Sequence, residues 1–235
     1  MSVRSGFGQV PYRLPTGATE VILVRHGSSA DAEPDMTVPL LEGRSDPRLS
    51  TAGVAQADAV AERLSAEPIT GLFVTTLQRT VQTAEPLAHA TGLSPVPIPD
   101  LVEVSLGEWD GGEFLVRMRD RDPTALRVYR EHRWDAVPGG EPFSSLGPRV
   151  RAGVDRIVTE TGPEASAVAV VHGGVIGELC RQATGSDAFA FVHAENGSIS
   201  RLVVDRNGRW LLRSFNDVAH LTAPAEAGWS PPLPF

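Results

Sequence analysis

Val21-Ile22-Leu23-Val24-Arg25-His26-Gly27 is the stretch whose reading decides the fold. Four apolar residues, mostly β-branched, end abruptly in an Arg, a His and a Gly. Such a run reads as a strand buried on both faces of a parallel sheet. Gly27 permits a sharp turn and a close approach of the backbone to whatever lies there. A guanidinium and an imidazole therefore stand at the carboxyl end of a central strand, where open α/β sheets build their ligand crevice. Val168-Ala169-Val170-Val171-His172-Gly173-Gly174 repeats the punctuation. Two strand–His–Gly units, far apart in sequence, can place two imidazoles side by side.

Composition narrows the surroundings of that pair. A chain of 235 residues with 41% hydrophobic content suits one ordinary domain with a packed core. The net charge of −8 argues against nucleic acid or an anionic membrane as partner. All 21 basic residues are arginines, which excludes lysine chemistry such as a Schiff base or a P-loop. One cysteine, Cys180, excludes an intramolecular disulfide and reads as a small core residue. No stretch approaches the length of a membrane span, and the first twenty residues have no apolar signal-peptide core. A cytoplasmic location is expected.

The strand and helix signals alternate along the chain. A Pro-, Asp- and Gly-rich loop from Ser28 to Leu49 follows the first strand. Ser50 is placed to cap a helix that carries Val54, Ala57, Ala61 and Leu64. Leu72-Phe73-Val74 reads as a strand, followed by a helix carrying Arg79. Thr76 is the expected cap of that helix, Pro86 the point where it kinks or restarts, and Gly92 its end. Val96 to Pro99 reads as a strand. Glu113 to Glu131 is a polar, arginine-rich helical region, and Gly139-Gly140-Glu141 turns into a further helix. Asp205-Arg206-Asn207-Gly208 joins two strands in a hairpin. The order predicts an α/β fold, a three-layer α/β/α sandwich with a mostly parallel sheet and an antiparallel edge.

Arg25-His26-Gly27 with a late His172-Gly173 resembles the histidine phosphatase superfamily, also called phosphoglycerate-mutase-like. Three further stretches are similar to the family's. Thr75-Thr76-Leu77-Gln78-Arg79-Thr80-Val81-Gln82-Thr83-Ala84 resembles Ser-x-Leu-x-Arg-Ala-x-x-Thr-Ala. Leu101-Val102-Glu103 through Trp109-Asp110-Gly111 resembles Leu-x-Glu-x-x-x-Gly-x-Trp-Glu-Gly, whose first Glu is the proton donor. Asn216-Asp217 with His220-Leu221 resembles the closing motif. On this reading residues 1–18 are an irregular leader, 19–222 the histidine phosphatase-like catalytic domain and 223–235 a Pro- and Ala-rich tail.

The resemblance implies a phosphomonoester hydrolase without metal or other cofactor, acting on a small phosphate ester through a phosphohistidine. His26 is the expected nucleophile and Glu103 the acid, then the base. Arg25, Arg79 and His172 clamp the phosphoryl oxygens, a task suited to the planar donor fork of arginine. Gly27, Ser29 and Gly173 are expected to add contacts. A bell-shaped profile in roughly pH 5 to 7.5 is expected. Members often carry Asn where this chain has Ala32, so one phosphate contact is either missing or supplied by the Ser28–Leu49 loop.

Phosphatase is preferred over mutase, because mutases of the family carry a long capping insertion with a lysine and paired arginines. A non-catalytic phosphate-binding module is the reading from another class. Arg117, Arg119, Arg121, Arg127, Arg130 and Arg133 either meet a second anion or form a solvated helix face with Asp120, Asp122 and Glu131. The solvated reading is preferred. His89, His132 and His193 read as structural or solvated, His220 as packing and Trp109 as a wall. The apolar tail ending in Pro234-Phe235 hints at a homodimer contact.

Overall fold

In the computed structural model, residues 11–30 and 38–221 are described. Expectations that concern residues 1–10, Ala32 and the tail beyond Leu221 lie outside the described residues.

The leading strand, β1 (Thr19–Arg25), is buried along its length up to Arg25. A two-residue pair, β2 (Leu40–Leu41) and β3 (Arg44–Ser45), forms a small separate hairpin in the loop that follows. Helix α1 (Thr51–Leu64) leads to β4 (Ile69–Val74), then helix α2 (Gln78–Thr91) to β5 (Val96–Pro97). Helices α3 (Glu113–Arg119), α4 (Pro123–Arg130) and α5 (Phe143–Thr161) precede β6 (Ser166–Val171). Helix α6 (Gly173–Thr184) and the strands β7 (Ile199–Val204) and β8 (Trp210–Asp217) complete the order.

Six strands make one sheet in the order β5-β4-β6-β1-β7-β8. β4 pairs in parallel with β5 and β6, and β6 in parallel with β1. β7 and β8 form the antiparallel edge. β1 and β6 are neighbours in register, Arg25 opposite Val171. The residues that follow both strands, His26 and His172, are thereby delivered to the same end of the sheet.

Alternation along the strands divides the core into two layers. Val21 and Leu23, with Ala167, Ala169 and Val171, face Leu146, Val150, Val154 and Ile157 of α5 and Val175, Ile176 and Leu179 of α6. Ile22, Val24, Val168 and Val170 face Val60, Ala61 and Leu64 of α1 and Ala84 and Leu87 of α2. A strand with apolar residues at every position is what a sheet covered on both faces requires.

Local signals hold in part. Ser50 caps α1, its side chain accepting from the Gly53 N–H at 3.0 Å. Gly92 and Gly185 close α2 and α6 in the left-handed conformation. Thr76 does not cap α2. The helix starts at Gln78, and Asp46 from the preceding loop accepts the Gln78 N–H at 2.8 Å. A cap brought in by the tertiary fold thus replaces the local one. Pro86 neither ends nor restarts α2, which runs through it. Ala84 and Leu87, on either side of the missing N–H, are both buried in the core. The strand expected over Val96–Pro99 stops at Pro97 and gives way to a 3-10 turn, Pro99–Leu101. The arginine-rich region is helical, as two short helices, α3 and α4.

Gly27 is fixed by close packing. A Cβ there would lie 2.3 Å from the Gly53 carbonyl oxygen, so the turn after β1 lies backbone to backbone on the first turn of α1. Among the described residues no helix is long and apolar enough to cross a membrane.

Candidate active site

The strand ends converge. His26 follows β1, His172 follows β6, and their rings lie 5.1 Å apart at 62°. Thr75 follows β4, and its hydroxyl lies 2.9 Å from His172 Nε2. Arg79, on the first turn of α2, places its Nε 3.1 Å from His26 Nε2.

The hydrogen bonds assign the His26 tautomer. Nδ1 lies 2.7 Å from the Gly27 carbonyl oxygen, which can only accept. The proton is therefore on Nδ1, and the Nε2 lone pair receives the Arg79 Nε–H. His26 and His172 are both buried. Burial, reinforced by the Arg79 and Arg25 charges, holds each imidazole well below its ordinary pKa and keeps it neutral.

The guanidinium groups are anchored by carbonyls rather than carboxylates. Arg25 donates from Nη1 to Ala194 O at 2.5 Å, and Arg79 from Nη1 to Ser45 O at 2.7 Å. Burial pulls both below the usual guanidinium pKa, with the Glu103 charge opposing. Arg25 Nε and His172 Nδ1 are buried here without a hydrogen-bond partner among the described residues. A Cβ on Gly173 would lie 3.3 Å from Arg25 Nε, which puts this donor beside the start of α6. An unpaired buried donor is rare, and the Arg25 Nε–H beside a helix amino end suits an anion.

Glu103 lies across from this cluster on an irregular segment. Its carboxylate accepts the Val104 N–H at 2.9 Å and the Gly174 N–H at 3.3 Å. A Cβ on Gly174 would meet Glu103 Oε1 at 2.8 Å, so this glycine makes room for the carboxylate.

The structure thus brings Arg25, His26, Arg79, Glu103 and His172 together, with Gly173 at the first position of α6. Gly27 and Ser29 are placed differently. The Gly27 N–H already donates to Thr83 Oγ1 at 3.0 Å and is not a free donor. Ser29 pairs with Leu49 in an isolated bridge, and its hydroxyl makes no hydrogen bond among the described residues. Ser45 does connect the Ser28–Leu49 loop to the site, through its carbonyl on Arg79.

Asn196 was not singled out in the sequence, whereas Thr75 and Asp110 stand inside the quoted motifs. Thr75 orients His172, and Asn196 Nδ2 donates to the His26 carbonyl at 2.9 Å. Thr75 stands immediately after a parallel strand, the same position as His26 and His172, and at the Ser position of the quoted motif. Asp110 accepts from the Ser45 and Leu106 N–H groups, tying the loop to the Glu103 segment. His193 stacks on Tyr129 with centroids 5.8 Å apart, and burial lowers its pKa. Trp109 is buried, with the Arg117 guanidinium over its ring at 4.6 Å. His220 packs through Nε2 on the Gly197 carbonyl at 3.0 Å. Cys180 is fully buried, and burial pushes its thiol up to about 12. Among the described residues no three of His, Cys, Asp and Glu gather to hold a metal ion.

Two neutral imidazoles and two guanidinium groups gathered at one end of the sheet of an α/β sandwich form an arrangement chemically suited to an anion. The signature of the histidine phosphatase superfamily (branch 1) matches residues 21–218, and the chain belongs to that superfamily. A Yersinia enterocolitica protein named "Probable phosphoglycerate mutase GpmB" is 29% identical over 212 residues, 88% of this chain and 96% of its own length. The structure of a mycobacterial glucosyl-3-phosphoglycerate phosphatase superposes with a TM-score of 0.68 at 28% identity, covering 85% of this chain and 99% of that one. A Bacillus anthracis phosphoglycerate mutase shares the fold, with a TM-score of 0.70 at 19% identity over 87% and 96% of the two chains.

Proposed function

We propose that this chain hydrolyses the phosphomonoester of a small metabolite through a phosphohistidine on His26, without a metal. The observation that carries this reading is the unprotonated Nε2 of a buried, neutral His26, met by the Arg79 Nε–H, in a cluster that also holds the unpaired Arg25 Nε–H and the unpaired His172 Nδ1. A nucleophile and its charge stabilisers are then present before substrate arrives.

With the Thr75 hydroxyl donating to His172 Nε2 and the ring proton on Nδ1, the phosphoryl group displaces the Arg79 Nε–H from His26 Nε2 and takes up the guanidinium donors of Arg25 and Arg79 and the His172 Nδ1–H. His26 Nε2 attacks phosphorus in line with the ester oxygen. The N–P bond forms as the P–O bond breaks, and protonated Glu103 gives its proton to the departing alkoxide. Glu103, now a carboxylate, takes a proton from water. The hydroxide attacks phosphorus, the N–P bond breaks, and its electron pair returns to Nε2 as inorganic phosphate leaves.

Hydrolysis is favoured over transfer to a second phosphoglycerate. The chain has no lysine, and four arginines of the α3–α4 region are engaged by their own neighbours. Arg117 pairs with Glu113 and Asp122, Arg119 with Asp120, and Arg127 and Arg133 with Glu131. The similarity to a glucosyl-3-phosphoglycerate phosphatase supports a small phosphorylated metabolite as substrate. The relative named as a mutase supports the transfer reading. Turnover of an aryl phosphate in EDTA, lost by about a thousandfold or more in His26→Ala, is the expected result. Accumulation of 2-phosphoglycerate from 3-phosphoglycerate with a bisphosphate primer would instead establish the transferase, and phosphate binding without turnover the non-catalytic module.

A further inference from the structure

We propose that Arg149, with Glu141, is the positioning residue for Glu103, an inference that rests on the reading of Glu103 as the acid. Glu103 has no regular structure to hold it. It lies between two 3-10 turns, Pro99–Leu101 and Gly107–Trp109, and belongs to neither a strand nor a helix. Its position must come from outside its own segment.

Arg149, inside α5, supplies that support. Nη1 donates to Asp100 O at 2.8 Å and Val102 O at 2.7 Å, and Nη2 to Glu103 O at 3.2 Å. The remaining donors close a bidentate pair with Glu141, Nε to Oε1 at 2.6 Å and Nη2 to Oε2 at 2.7 Å. A guanidinium has five N–H groups, and these five bonds use them all. Glu141 completes the ring, because Oε2 also accepts the Ser105 N–H at 3.2 Å and its own N–H donates to Ser105 O at 2.9 Å. Arg44 adds a second guanidinium on the Glu103 carbonyl, Nε to O at 2.8 Å.

Three carbonyls of the acid-bearing segment thus turn toward one side chain, which is itself fixed by a carboxylate. The arrangement holds the Glu103 backbone from behind, while its carboxylate faces the Gly174 N–H at the start of α6. Catalysis is sensitive to displacements of this kind, since a proton donor must meet the leaving oxygen at hydrogen-bond distance. An ammonium cannot reproduce five donors in a planar fork, so lysine is not an equivalent here.

The test uses leaving groups of different basicity. An alkyl phosphate needs its departing oxygen protonated, whereas dinitrophenyl phosphate leaves without help. The ratio of the two kcat/KM values therefore reads the acid alone, because kcat/KM covers the steps through departure of the leaving group. Arg149→Lys and Glu141→Gln should each lower kcat/KM for the alkyl phosphate by about tenfold or more while changing the aryl value by less than about threefold. Glu103→Gln should show the same selectivity, only larger. If Glu103→Gln is selective and both clamp variants, folded by circular dichroism, lose the two activities equally, the positioning role is overturned. If Glu103→Gln itself shows no selectivity, the acid assignment has failed. Glu141→Gln keeps the size of the side chain and serves as the folded variant should Arg149→Lys not fold.

Discussion

The Nε–H of Arg79 meets Nε2 of His26 across 3.1 Å, while Nδ1 of the same ring is held by the Gly27 carbonyl at 2.7 Å. The imidazole is fixed at both nitrogens, one as donor and one as acceptor. Arg79 is thereby both the occupant of the nucleophilic lone pair in the free protein and the proposed clamp of the phosphoryl group. Arg79→Lys removes the planar fork but keeps the charge. It should reduce kcat/KM on an aryl phosphate by about a hundredfold, with a parallel rise in the inhibition constant for inorganic phosphate. Steady-state kinetics with phosphate as competitor measure both. An unchanged inhibition constant would remove Arg79 from the anion site.

The two neutral histidines make stability depend on pH. Burial, then the neighbouring arginines, hold His26 and His172 well below an unfolded value near 6.5. The unfolded chain takes up protons first as pH falls. Stability from these groups is therefore complete above about pH 6.5 and declines as pH drops toward the folded pKa values, by at most about 1.4 kcal/mol per pH unit for each group. Chemical denaturation at pH 7.5 and pH 5.5 should show the loss. A His26→Asn/His172→Gln double variant should flatten this part of the profile, and an unchanged slope would show that neither imidazole is the source.

What the sequence disclosed depended on the range of the interaction. The β1 run was legible because Val21–Val24 pack apolar side chains on both faces of the sheet. Ser50 and the Asp205–Gly208 hairpin were legible because their hydrogen bonds close within a few residues, as in Gly53 N–H to Ser50 Oγ at 3.0 Å and Gly208 N–H to Asp205 O at 2.9 Å. The start of α2 was not, because its cap, Asp46, lies 32 positions away from Gln78. Arg149 was equally hidden, since it reaches Glu103 over 46 positions and looks in sequence like one more helical charge. The site's charged residues could be named from short motifs, but the groups that hold them belong to other elements.

Gly27 separates packing from chemistry. Its N–H is spent on Thr83, and a Cβ would lie 2.3 Å from the Gly53 carbonyl oxygen, a backbone atom that cannot yield without moving α1. Gly27→Ala should lower the denaturation free energy by about 3 kcal/mol, an overpacking cost at the upper end of the usual range. The denaturant midpoint reads it directly. A change of only a few tenths would mean that the β1–α1 contact is looser than described.

The arginines of α3 and α4 give the contrasting case. Arg127 lies exposed and pairs with Glu131 at 2.8 Å, four residues further along the chain. An exposed pair of this geometry is screened by solvent and contributes little. Nothing connects it to His26 or Glu103 among the described hydrogen bonds. Arg127→Gln should therefore leave kcat/KM for any phosphomonoester within about twofold of the parent value. A large loss confined to substrates with a second anionic group would reassign this helix to substrate recognition. It would also show that Glu131 releases Arg127 on binding, and Glu131→Gln should then strengthen binding of the same substrates.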